Sequence, residues 1–141
     1  MWIVGIILNM VVMTGVAPTA TLPTAPELEM TTPATDLAPT VKAFFGTWEG
    51  TWDGGLASRL VVEAIDATSA RVVYAWADDP QGHFPGGWVR VTTQVLPEGA
   101  LQWGSDEQFT FKMAKDHRSI EGARHKGGQM SRVTMQKIER E

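Results

Sequence analysis

The sequence predicts an all-β domain, an antiparallel up-and-down barrel of about eight strands, spanning residues 42–141. Three observations carry this. Apolar and polar residues alternate with a period of two through most of that region. Turn chemistry recurs about every ten residues. The opening strand sets rings and glycines on one face, as suits a strand that bends hard across a barrel end.

Before the barrel come two segments of different composition. Residues 1–26 contain no charged side chain, and Trp2 to Val16 is almost wholly apolar. That run is short for a membrane span of about 20 residues and fits the hydrophobic part of a signal peptide. Residues 1–20 are therefore read as a signal peptide or N-terminal anchor, and the protein as exported, periplasmic or secreted. Contact with a membrane is expected only through this segment if it stays uncleaved. Residues 21–41 are rich in Pro and Thr. Their prolines remove backbone donors and favour extended, solvated chain, so the segment reads as a disordered linker.

The first strand, Phe44–Trp52, carries the pattern Phe44, Gly46, Trp48, Gly50, Trp52 on one face and Phe45, Thr47, Glu49, Thr51 on the other. Asp53-Gly54-Gly55 ends it. The next strands are Ala57–Asp66 and Arg71–Ala77, separated by a turn from Asp66 to Ser69. A break from Asp78 to Gly87 follows, the longest in the domain. Trp88–Leu96 alternates cleanly, with Val89, Val91, Thr93 and Val95 on one face. Pro97-Glu98-Gly99 leads to Ala100–Trp103, and Gly104-Ser105-Asp106 to Gln108–Ala114, where Phe109, Phe111 and Met113 share a face. Ser119–His125 and Gln129–Ile138 close the series. A strand meander must pack on a second sheet or close on itself. A two-sheet sandwich is the competing arrangement.

Gly46-Thr47-Trp48 resembles the Gly-x-Trp signature on the first strand of calycins, the group of lipocalins, fatty-acid-binding proteins and avidins. Gly50-Thr51-Trp52 is a second such unit. The wider pattern also resembles uncharacterised exported bacterial domains. The resemblance covers roughly residues 44–138. It implies that Trp48 plugs one barrel end under a basic residue of the last strand, a cation–π contact. Arg132 is the leading candidate, with Lys137 or Arg124 as substitutes. The face of the last strand decides between them: Arg132 shares a side with Met130 and Thr134, opposite Val133 and Met135. The resemblance also implies ligand binding. The chain departs from typical lipocalins in its shorter barrel and in lacking a helix after the strands.

Composition excludes several chemistries. There is no cysteine, so disulfides and thiolate catalysis are ruled out. All 12 basic residues lie from Lys42 onward against 13 acids, leaving no dense basic face for nucleic acid. His117, Glu121 and His125 have a metal-like spacing. On a strand, however, the two histidines stand roughly 26 Å apart, so no metal site is expected. His83 reads as a solvated loop residue. No nucleophile elbow, phosphate loop or acid–base pair is recognisable, so no catalytic residue and no cofactor is assigned. What remains is aromatic surplus, five of six tryptophans lying after residue 47. The expected function is non-catalytic binding of a small apolar or amphipathic ligand, with Tyr74, Trp76, Trp88 and Phe111 as wall residues. A side-chain-filled interaction module using Arg90, Thr92 and Gln94 is the alternative, and an enzyme or enzyme accessory domain the third.

Overall fold

The computed structural model describes residues 25–139. The signal or anchor segment and the first residues of the linker lie outside them. A one-turn helix, α1 (Pro39–Lys42), precedes eight strands: β1 (Gly46–Thr51), β2 (Ala57–Ile65), β3 (Ser69–Trp76), β4 (Gly87–Leu96), β5 (Ala100–Trp103), β6 (Glu107–Met113), β7 (Ser119–Lys126) and β8 (Gln129–Ile138). Each pairs antiparallel with the next, and β8 pairs back onto β1, with Trp48 opposite Lys137. The sheet is a closed barrel with no free edge, and the sandwich is excluded.

Alternation sets the contents. Leu60, Val62, Val72, Leu101, Phe111, Ile120, Val133 and Met135 fill the middle of the barrel and are almost fully buried. Two glycines let the strands close on this core. A Cβ on Gly50 would lie 2.4 Å from the Thr134 carbonyl oxygen of β8. One on Gly122 would lie 2.4 Å from the Phe111 ring, which uses that vacancy as its seat.

One end is shut. Trp48 and Phe44 are fully buried, and the Trp48 indole N–H donates to the Phe44 carbonyl at 2.9 Å. Leu37 and Val41, on and just before α1, pack against the same cluster. The cation over Trp48 is Lys137, its Nζ 5.0 Å from the ring centroid, and not Arg132. Val133 and Met135 form the core face of β8, so Lys137, in phase with them, points inward and Arg132 outward. Lys137 Nζ also donates to the Ala43 and Phe45 carbonyls at 3.0 and 2.8 Å. Arg132 instead pins the β1–β2 turn through its backbone: its N–H donates to Asp53 Oδ2 and its carbonyl accepts from the Asp53 N–H, both at 3.0 Å.

Residues 25–38, part of the proline-rich segment, form no helix or strand, yet Glu27 to Ala34 lie against the outer barrel wall. The anchor is Glu63, an outward residue at a β-bulge in β2 between Val62 and Ala64. Its carboxylate is fully buried and accepts from Arg90 and Arg71 and from the Glu29 N–H. The same arginines donate to the Glu27 and Glu29 carbonyls, and the Thr31 N–H donates to the Glu63 carbonyl. The Arg90 hydrogen bond is the main cause that holds the Glu63 carboxyl down at about 2.

Candidate functional site

The other end is open. A cavity of about 940 Å³ occupies the barrel mouth. Its floor and one side are rings. Trp52 follows β1, Tyr74 and Trp76 end β3, Trp103 ends β5, and Phe109 begins the inward face of β6. The β5–β6 register sets Trp103 opposite Phe109 across the tight Gly104 turn, and their rings stack at 4.9 Å and 13°. Trp103 also stacks on Phe111 at 5.6 Å and 16°. Tyr74 stacks on Trp76 at 5.8 Å and 30°. Trp52 meets Phe109 edge-on at 6.1 Å. Pairs of this kind add about 0.5–1.5 kcal/mol beyond their burial, so the cluster is a stiff platform.

The polar atoms of Trp52, Tyr74 and Trp76 are already engaged. Trp52 Nε1–H donates to the Tyr74 hydroxyl at 3.0 Å, and that hydroxyl also bonds Ser58 Oγ at 3.2 Å. Trp76 Nε1–H donates to the Pro85 carbonyl at 3.1 Å. Burial pushes the Tyr74 phenol above its ordinary value. Trp52, Tyr74 and Trp76 therefore present faces and edges to the cavity, while their polar atoms brace the wall.

The opposite side of the mouth is charged. Glu107 of β6, Arg124 and Lys126 of β7 and Ser131 of β8 line it. Arg124 Nε–H donates to Glu107 Oε2 in a short ion pair. Arg124 sits opposite Phe109 on one flank and Ser131 on the other.

The loop between β3 and β4 forms the rim, contributing Asp79, Gln81, Phe84, Pro85 and Gly86 to the lining. It braces itself. Asp79 Oδ2 accepts from the His83 N–H at 2.9 Å and lies 3.0 Å from His83 Nδ1. Asp78 Oδ1 accepts from the Gly86 N–H at 2.7 Å. His83 thus serves the loop, His117 lies in the turn before β7 and His125 near the far end of that strand, with no metal-ligand cluster among the described residues.

Of the four wall residues expected from the sequence, the structure brings Tyr74 and Trp76 into the cavity lining. Phe111 lies one layer deeper, fully buried beneath Trp103. Trp88 is on the outside, 40% exposed, because Val89, Val91, Thr93 and Val95 take the inward positions of β4. Its neighbour Val89 lines the mouth instead. Trp52, Trp103, Phe109 and the charged trio Glu107, Arg124 and Lys126 were not expected there. Strand phase carried the signal for each: Arg124 and Lys126 follow Ile120 and Gly122 at steps of two, and Trp103 and Phe109 flank one tight turn.

No protein-family model matches this chain, and no curated protein matches it. The closed eight-strand antiparallel barrel is compatible with a calycin-like fold.

Proposed function

We propose that this protein is a non-catalytic binding protein that takes a small apolar or amphipathic molecule into the mouth of a calycin-like barrel. The observation that carries this reading is the ring-walled cavity of about 940 Å³. Ligand sites typically offer about 300–1,000 Å³ of mostly apolar wall with a few placed polar groups. The filled middle of the barrel keeps the ligand in the mouth, on the Trp103–Phe109 platform. The Gly-x-Trp resemblance supports the same class, and the signal-peptide reading of residues 1–20 sets the encounter outside the cytoplasm. An interaction module would need Arg90 on a free outer face, and Arg90 is engaged by Glu63 and Glu27.

Intrinsic fluorescence tests the reading, since Trp52, Trp76 and Trp103 all line the mouth. Titration with fatty acids, retinoids and haem is expected to give a saturable change for at least one class, lost in Trp103→Ala. A flat response across the panel overturns it.

A further inference from the structure

We propose that the ligand of this mouth is a planar aromatic anion, held by Arg124 and Lys126 through its acidic group and by the ring platform through its face. The inference rests on the binding function proposed above and names the class of molecule.

The argument is an inventory of unused hydrogen-bonding capacity. Three carboxylates line the mouth, each with one oxygen engaged and the other without a partner among the described residues. Asp53 Oδ2 holds the Arg132 N–H, Asp79 Oδ2 holds the His83 N–H, and Glu107 holds Arg124. The two cations are less committed. Arg124 spends its Nε–H on Glu107, and among the described residues its Nη atoms donate to nothing. Lys126 has no hydrogen-bond or ion-pair partner among the described residues. A guanidinium has five N–H donors in a flat fork that matches carboxylate and related oxyanions. What favours an acid is placement: Arg124 and Lys126 stand two apart on one face of β7, so that side of the mouth sets two cations with spare donors against the single carboxylate of Glu107.

The shape of the apolar half selects planarity. Trp103 and Phe109 lie within 13° of parallel, and Tyr74 and Trp76 within 30°. The Trp52 and Trp76 N–H groups are taken by the protein, and the Trp103 Nε1–H has no partner among the described residues, so the platform offers stacking faces and a single ring donor. Arg124 sits opposite Phe109 in the β6–β7 register. An acidic group on Arg124 thus brings its attached ring system over the stack. Glu107 is the built-in competitor: the ligand's acid shares or displaces it on the same guanidinium.

Calorimetric titration of the full chain at about 0.15 M salt, where exposed charges are screened beyond ~8 Å, makes the test. The probes are naphthoate, its neutral analogue naphthalenemethanol, its cationic analogue naphthylmethyl-trimethylammonium, and dodecanoate. Naphthoate is expected to bind about tenfold or more tightly than the alcohol, and the ammonium most weakly, as a charge-assisted bond predicts. Arg124→Met should erase the preference of naphthoate over the alcohol while leaving binding of the alcohol in place. Glu107→Gln should tighten naphthoate several-fold by freeing the guanidinium, a gain that damaged folding cannot imitate. Equal affinity for acid and alcohol, or tightest binding of the ammonium, overturns the anion while leaving a binding mouth intact. Dodecanoate outperforming naphthoate overturns the planar class. Weaker binding of naphthoate to Glu107→Gln overturns the role of Arg124. If none of these probes binds and the fluorescence panel is flat as well, the binding function itself falls, and this inference with it.

Discussion

Trp48 in β1 and Trp52 just after its end stand four residues apart, each after a Gly-Thr pair, and they do opposite things. Trp48 is fully buried, with its N–H on the Phe44 carbonyl, Lys137 over its ring and residues of α1 across the barrel end. Trp52 also stands nearly buried, yet it forms part of a wall. Its N–H goes to a side chain of another strand, and beyond it the barrel is open. The ring and the local motif are the same, so the difference lies in what backs them. At the closed end a chain segment returns across the barrel and fills it with Leu37, Val41 and Phe44. At the open end the β3–β4 loop is braced on itself by Asp78 and Asp79 and stays at the rim.

The strongest way to break this contrast is to remove each ring. Trp48→Ala empties a sealed site and should cost about 3–5 kcal/mol, the usual range for a large core aromatic. Trp52→Ala should cost less than half of that, because its space joins a cavity that already exists. Urea denaturation of both variants gives the two numbers. Equal losses would mean that the mouth is as tightly packed as the plug, and the contrast would fail.

Next in size is the backbone that joins the two rings. Gly50 lies between them, where β1 packs against Thr134 and Met135 of β8. The Cβ of Gly50→Ala meets a backbone oxygen and the Met135 Cα, neither of which can turn aside. Overpacking of this kind costs about 1–3 kcal/mol. Gly54→Ala, at the open end, meets nothing within 4 Å and bears only the strain of a positive φ, about 1 kcal/mol. A Gly50→Ala protein as stable as the parent in urea would show that the strands can separate without loss.

Exchanging the cation of the closed end comes third. Lys137→Met leaves the Ala43 and Phe45 carbonyls without a donor and removes the charge from the Trp48 ring, and should cost about 1–2 kcal/mol. Arg132→Met, which leaves the backbone bonds to Asp53 in place, should fall within about 0.5 kcal/mol of the parent. A larger loss from the arginine than from the lysine in thermal unfolding would reverse the assignment.

That pair also marks where sequence reasoning reached its limit. The period of two was legible in most strands, clearest in β4 and β6, and eight strands with short turns are enough to specify a meander. The phase of β8 was not, because Met130 and Thr134 on one side are about as apolar as Val133 and Met135 on the other. Only closure against β1, which sets Lys137 opposite Trp48, breaks the tie. The wall placement of Trp88 contradicted the strand's own alternation, which already put the valines inward. The charged side of the mouth was legible only strand by strand: phase turns Arg124 and Lys126 inward, but Glu107, Arg124 and Ser131 come from three strands, and no spacing records that they meet. The contact of residues 27–31 with the outer wall was invisible too. It is made largely by backbone groups meeting one carboxylate raised by a bulge, and composition records neither.

The smallest expected effect compares the ends by proton linkage. At the open end, burial raises the Tyr74 phenol above 10.0, with Glu107 adding slightly and Ser58, Trp52 and Arg124 opposing. The unfolded chain then loses that proton first. Tyr74 therefore contributes stability that is fully present below about pH 10 and is lost as pH rises through the raised value. At the closed end, burial lowers the Lys137 ammonium below 10.5, with Glu139 weakly opposing. There the folded state loses its proton first, so the lysine's penalty fades as pH climbs toward 10.5 and stability rises. The two ends pull in opposite directions over the same alkaline window. Urea midpoints from about pH 8.5 to 11 should thus fall less steeply in Tyr74→Phe than in the parent, and more steeply in Lys137→Met. Parallel curves for all three proteins would mean that neither buried group is linked to folding, and that the two ends differ in packing alone.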